Sequence, residues 1–294
     1  MASTPAEAAA AAPVVREPDA RSTPGTSHFL SYVALAEHAR VTAEETVASC
    51  RSIGGDGLFD ISVLPPTEEL GDDNFALRVN GATIVVIFAD MALPPDSWEE
   101  AAVRSITFND AAKVMVNTRA HVIVALVEPP TDHIRALNGA AAVTLVLAGL
   151  SAILPAAAVV FTEAQSIVRG AALVGQARQL VAGQVPVTLW TTMTLARGAP
   201  TEGGLATVMG STLGLRAFIG REIEFLPAPM PPMDLARRLI GMASYLCAKG
   251  PIIADGETIA VSDTEKIAVQ YADEGSRPGI PVLLMRFVSG GGSA

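Results

Sequence analysis

Phe75-Ala76-Leu77-Arg78-Val79-Asn80-Gly81-Ala82-Thr83-Ile84-Val85-Val86-Ile87-Phe88 is the stretch on which the fold class turns. Two apolar, β-branched runs flank an Asn-Gly pair. Both central residues of a two-residue hairpin turn need φ > 0, which Asn and Gly tolerate best. The stretch therefore predicts strands over 75–79 and 82–88 joined by a tight turn. Upstream, His28–Leu35 reads as a first strand, and Thr42 with Glu45 forms a capping box opening a helix that Gly54 or Gly55 stops. Leu58–Leu64 reads as a second strand ended by Pro65-Pro66. Downstream, a helix is predicted from Ser97 or Trp98 to Asn117. His121–Val127 is a nearly continuous apolar strand, suited to a sheet covered on both faces. The order β-α-β-β-β-α-β is close to a ferredoxin-like unit with one additional strand.

The second half has a similar flavour. A helix is expected over Asp132–Leu150, a strand over Ala156–Phe161, and a Thr162-x-x-Gln165 capping box opening a helix that ends at Gly183. Strands follow at Val185–Trp190, Leu213–Phe218 and Glu222–Leu226, with a polar loop over Ala196–Gly204. The helix Asp234–Ala248 carries Leu235, Leu239, Met242, Ala243 and Leu246 on one stripe, and Gly250 follows its end. Short strands near Thr258–Val261, Ile267–Tyr271 and Val282–Phe287 finish the chain. The expected architecture is α+β, with mixed and antiparallel sheets and packed helices, two ferredoxin-like-flavoured halves forming one two-lobed body. Residues 1–26, rich in Ala and Pro, read as a disordered tail. Residues 27–288 read as a single domain with halves 27–130 and 131–288, and 289–294 as a flexible tail.

The 294 residues are 50% hydrophobic and 17% charged, enough to bury a core without staples. Cys50 and Cys247 lie far apart with no metal-type spacing, which points to buried, reduced thiols and a cytoplasmic setting. A net charge of −10 without a Lys/Arg cluster argues against nucleic acid and against an anionic membrane surface. Gly139–Phe161 lacks charge and is long enough to span a bilayer. Its Ala/Gly content and Pro155 instead favour a buried helix, a break and a buried strand.

Three stretches invite a chemical reading. Gly210–Glu224 holds three glycines and alternating Arg and Glu, but its spacing fits neither phosphate-binding pattern, and Ser211 is not in a nucleophile elbow. Glu222 and Glu224, two apart on a strand, would lie about 7 Å from each other on one face, suitable for acid/base work. Arg216 and Arg221 are near enough in sequence to neutralise them. Asp255-Gly256-Glu257-Thr258 is a turn first and a candidate ligand set second. The acidic loop 68–73 lacks calcium-loop spacing. Of His28, His38, His121 and His133, none shows ligand spacing, so no metal site and no cofactor is expected. His121, opening a buried strand, is the one histidine to follow. Trp98 and Trp190 read as core anchors, with Trp190 able to line a pocket.

Thr212, Gly214, Gly220, Glu222 and Glu224, together with Asp255-Gly256-Glu257-Thr258-Ile259, resemble the bacterial family of domain of unknown function 4261. Arg119-Ala120-His121-Val122-Ile123-Val124 and the Pro94-Pro95 segment before Trp98 add to the likeness. The resemblance would cover roughly residues 28–288. It implies a bacterial cytosolic protein and supplies no catalytic residues. Leu213 stands where the family often has an aromatic residue. Two functions follow as expectations. The first is a protein-interaction module of accessory or immunity type whose partner is another protein. The second is a small-molecule or metal-dependent enzyme using Glu222, Glu224 and Asp255, with His121. Trp190, Arg216, Arg221 and Glu257 are the candidate binding residues.

Overall fold

The structure, a computed structural model, describes residues 27–289 apart from 56, 58, 69, 72, 106, 263 and 264. The predicted tail 1–26, all but the first residue of the predicted tail 289–294, the first residue of the predicted strand 58–64, and positions 69 and 72 of the acidic loop lie outside the described residues; Ser289 is the last residue of a strand rather than part of a tail.

The chain is α+β, built on two open sheets. Its first sheet contains β1 (Ser31–Leu35), β2 (Ile61–Val63), β3 (Phe75–Val79), β4 (Ala82–Ala89), β5 (Ala120–Leu126), β6 (Ala156–Phe161) and β7 (Ser166–Val168). The spatial order is β2-β3-β4-β5-β1-β6-β7, with every pair antiparallel. The β3–β4 hairpin closes as expected: Val79 pairs with Ala82, and Asn80 and Gly81 sit at φ 47° and 81°.

Helix α1 (Ala43–Gly54) starts at the full Thr42/Glu45 capping box and ends at Gly55. It packs with α4 (His133–Ile153) on one face of this sheet, where Val33 and Leu35 of β1 point. Contact is close: a Cβ on Gly149 would lie 2.5 Å from Cys50 Sγ, and Ser49 Oγ donates to Gly149 O at 2.8 Å. By length and composition α4 could cross a membrane, yet 67% of its most apolar window is buried inside the protein. Leu154 and Pro155 then break the chain into β6, as the sequence indicated. Burial pushes the thiols of Cys50 and Cys247 up to about 12, and both are free.

The opposite face, where Ala34 points, is covered by short helices. The single helix expected over 97–117 is instead a 3-10 turn at Pro95–Ser97, α2 (Glu99–Arg104) and α3 (Ala111–Met115). Residues between the pieces include Ser, Asn and Asp, which offer their own backbone competing hydrogen bonds; Phe108 N–H donates to Ser105 Oγ at 3.2 Å. Trp98, Phe108 and Met115 build a second apolar cluster there with Ala158, Val160 and Ile167. The sheet's middle is thus covered on both faces, as the apolar run of β5 required.

Thr162-x-x-Gln165 does not open a helix. It is the β6–β7 turn, with Gln165 N–H on Thr162 O and the Thr162 hydroxyl donating to Leu30 O at 2.7 Å. The helix begins later, as α5 (Gly170–Val181). The predicted strand Val185–Trp190 is also corrected: α6 (Val187–Trp190) is one helical turn following Pro186. A six-residue apolar run cannot distinguish a strand from a buried helical turn.

The second sheet contains β8 (Thr192–Gly198), β9 (Thr207–Leu213), β10 (Glu222–Ala228), β11 (Thr258–Ala260), β12 (Glu265–Ala272) and β13 (Val282–Ser289), in the order β11-β12-β13-β10-β9-β8. Among the described residues, β10 and β13 are the one pair of this sheet that runs parallel. Where a strand was expected over Leu213–Phe218, β9 ends and α7 (Arg216–Ile219) turns the chain. The polar loop predicted over Ala196–Gly204 is strand as far as Gly198. Helix α8 (Pro232–Lys249) packs its Leu235, Leu239, Ala243 and Leu246 stripe into the core. The chain changes sheet between Val168 and Thr192, so α4, β6 and β7 stay with the first sheet.

Candidate functional site

The turn preceding β10 is wound around one side chain. Glu222 is 3% exposed, and both of its carboxylate oxygens are fully used. Oε1 accepts from the N–H groups of Gly214 at 2.8 Å and Arg216 at 3.0 Å. Oε2 accepts from Leu215 N–H at 3.1 Å and from the Thr212 hydroxyl at 2.7 Å. Thr212 Oγ1 in turn accepts from Ile223 N–H at 2.8 Å. These donors include the N–H groups at the start of a four-residue helix, which have no partner within it. Burial pushes the Glu222 carboxyl above the usual carboxylate range, and the four donors pull against that rise.

Two glycines complete the cradle. Gly214 sits at φ +105°, with no room for a Cβ, which would stand 2.2 Å from Trp190 O. Gly220 ends α7 in the left-handed region at φ 78°. Thr212, Gly214, Gly220 and Glu222 are therefore parts of one folding device.

Glu224, 6% exposed, belongs to another set. It accepts from Ser276 N–H at 2.7 Å, and Gly275 lies so close that a Cβ there would meet Glu224 Oε2 at 2.5 Å. Asp255 accepts from Tyr271 N–H at 2.8 Å, and Glu257 accepts from Ala254 N–H at 2.8 Å. With Gly256 at φ +77°, these contacts make the turn that the Asp-Gly pair indicated. Each of the three carboxylates thus faces a different backbone segment. Among the described residues, no group of three or more His, Cys, Asp or Glu is placed to hold a metal ion.

Among the described residues, neither of the arginines expected to neutralise Glu222 and Glu224 forms an ion pair with them. Arg221, 3% exposed, lies 4.3 Å over the Tyr271 ring and donates to Ala272 O at 2.9 Å. Arg216 directs its backbone to Glu222 and leaves its side chain exposed. His121 is in the first sheet, bonded through Nδ1 to Met91 O at 2.8 Å and edge-on to Tyr32. Trp190 is a core anchor: it stacks on Phe218 at 5.4 Å and donates to Thr144 Oγ1 at 2.9 Å.

Residues 211–284 match the family model described as Domain of unknown function (DUF4261). The likeness to the family is carried by that segment. The DUF4261 segment runs from Ser211 in β9 to Leu284 in β13 and contains the Glu222 cradle, α8 and the Asp255 turn. Pro94–Trp98 and Arg119–Val124, which also carry the resemblance, lie outside the matched residues. No curated protein and no solved structure matches the chain.

The DUF4261 segment also forms a feature that sequence reasoning missed, a groove of about 750 Å³ between α8 and the β11–β12 hairpin. Tyr245, Ile252 and Val261 line it at 47%, 45% and 48% exposure, and Ile259 and Met242 lie deeper. The one available signal was Gly241, a glycine inside an 18-residue helix where Ala would be better by about 1 kcal/mol. A Cβ at Gly241 meets nothing within 4 Å, so internal packing does not require the glycine.

Beside the groove, β11 is the edge of the sheet among the described residues. Val269 N–H donates to Glu257 O and Val261 N–H to Glu265 O, which sets the alternation along the pair. Thr258 and Ala260 consequently turn their N–H and C=O groups away from β12, toward the edge.

Arg238, in the groove lining, makes a bidentate contact to Glu265, which lowers the Glu265 pKa. A depressed carboxylate stabilises above its unfolded pKa and loses that contribution as pH falls through the folded one. Glu265→Gln is therefore expected to cost about 1 kcal/mol near pH 7 and progressively less in acid. Urea melts at the two pH values measure the difference.

Proposed function

We propose that this chain is a protein-interaction module that holds a basic protein through an extended segment laid along β11. The observation that carries this reading is the apolar groove beside a sheet edge that pairs with no other strand among the described residues. An extended segment would take the outward N–H and C=O groups of Thr258 and Ala260 and place alternate apolar side chains in the groove. The net charge of −10 supports a basic partner, because complementary charge raises the encounter rate. The alternative, a carboxylate enzyme, gains no support from Glu222, Glu224 and Asp255, each of which is hydrogen-bonded to its own stretch of backbone.

The test uses Gly241→Leu, which projects a side chain into open space and should not weaken the helix. Wild type and variant serve as baits in extract of the source cell. A stoichiometric basic protein retained by wild type and lost by the variant is the expected result. Capture of the same set by both baits, or of nothing by either, would refute the groove as the contact surface.

A further inference from the structure

A second cavity lies at the seam between the two sheets, distinct from the groove. It measures about 260 Å³ and is lined by Ser27, Glu163, Gly214, Arg216, Glu222 and Ile280, among others. Glu163 reaches it from the β6–β7 turn of the first sheet, and Arg216 from the first residue of α7 in the second. Both side chains are exposed. Glu163 accepts through Oε1 from the Ser27 hydroxyl at 2.7 Å, and that carboxylate has a second oxygen. Arg216 makes no ion pair among the described residues, and its guanidinium is not needed for the Glu222 cradle, which uses only its N–H. One cavity therefore displays an anion and a cation that do not neutralise each other. Glu222 forms part of the wall, its oxygens already filled by four donors. It therefore does not compete for a ligand's hydrogen bonds.

We propose that this cavity binds a small zwitterion of the amino-acid type, its ammonium group at Glu163 and its carboxylate at Arg216. The volume supports a small metabolite, since drug-sized sites run to about 300–1,000 Å³. An arginine fork matches a carboxylate in two parallel hydrogen bonds, which gives orientation as well as attraction. A simple anion would meet the repulsion of Glu163, and a simple cation that of Arg216. A ligand carrying both charges avoids each penalty. The position at the seam joins the first sheet to the DUF4261 segment, so an occupant would tie the two sheets together. This proposal stands apart from the groove and does not depend on it.

The experiment is isothermal titration of the full chain with each of the twenty common L-amino acids. At least one is expected to bind at a single site. Arg216→Ala and Glu163→Gln should each weaken that binding by about tenfold or more, since each removes a charge-assisted contact. Both residues are exposed, so the thermal midpoints of the unliganded variants should match wild type. The amide of the bound amino acid should lose its dependence on Arg216, and its N-acetyl derivative its dependence on Glu163. Failure of all twenty to bind overturns the proposal, and so does binding that ignores either residue. Neither failure touches the groove reading, whose test uses Gly241→Leu and a protein partner.

Discussion

Glu222→Ala is expected to destabilise the chain by about 3–5 kcal/mol, measured as a lower urea midpoint at unchanged slope. The figure follows from what is left behind. Removing the carboxylate strips acceptors from the N–H groups of Gly214, Leu215 and Arg216 and from the Thr212 hydroxyl. Each unsatisfied buried donor costs about 1–3 kcal/mol. The sum is trimmed because the neighbouring 260 Å³ cavity can admit water to some of them. Glu222→Gln sharpens the test. It keeps the volume but turns an NH₂ group toward N–H donors, so it should still cost about 2 kcal/mol or more. A catalytic carboxylate predicts the reverse pattern, with little loss of stability on the conservative change. If Glu222→Gln melts at the wild-type midpoint, the cradle is not what holds this turn.

Which elements were readable in advance follows from the range of the interactions that make them. The Asn80-Gly81 turn and the Thr42/Glu45 box are complete within four residues, and both formed as their chemistry dictates. The Asp255-Gly256 turn is of the same kind. Leu213–Phe218 is different. Its apolar alternation is compatible with a strand, but Glu222 returns along β10 and takes three of its N–H groups, which bends it into α7. Thr162 and Gln165 satisfy a capping pattern that equally satisfies a hairpin turn. What decides between them is Leu30, whose carbonyl takes the Thr162 hydroxyl from far away in sequence. Val185–Trp190 becomes a helical turn because Trp190 is drawn onto Phe218 and Thr144.

The candidate site shows the same division. Glu222, Glu224 and Asp255 were visible as unusual carboxylates, but pattern alone could not say whether they face a ligand or the backbone. The groove was hidden because α8, the loop at Ile252 and the β11–β12 hairpin contribute to it separately. The seam cavity was hidden because Glu163 and Arg216 are 53 positions apart and belong to different sheets.

Gly214→Ala should be among the most damaging single-methyl changes available, costing about 3 kcal/mol or more. Two independent penalties act there. At φ +105° an L-residue is strained wherever there is space, and here there is none. The added Cβ would stand 2.2 Å from Trp190 O and 3.0 Å from Ala164 Cα, both backbone atoms that cannot swing aside. Relief requires moving the end of α6 or the β6–β7 turn, and with them the Trp190–Phe218 stack. Gly241→Ala provides the control within the same chain. Its Cβ meets nothing within 4 Å, so the same methyl should raise stability by about 1 kcal/mol. The paired measurement separates packing from composition: two glycines of the DUF4261 segment, one substitution, opposite signs. Equal effects at both positions would mean that the close approach of Gly214 to Trp190 does not exist in solution.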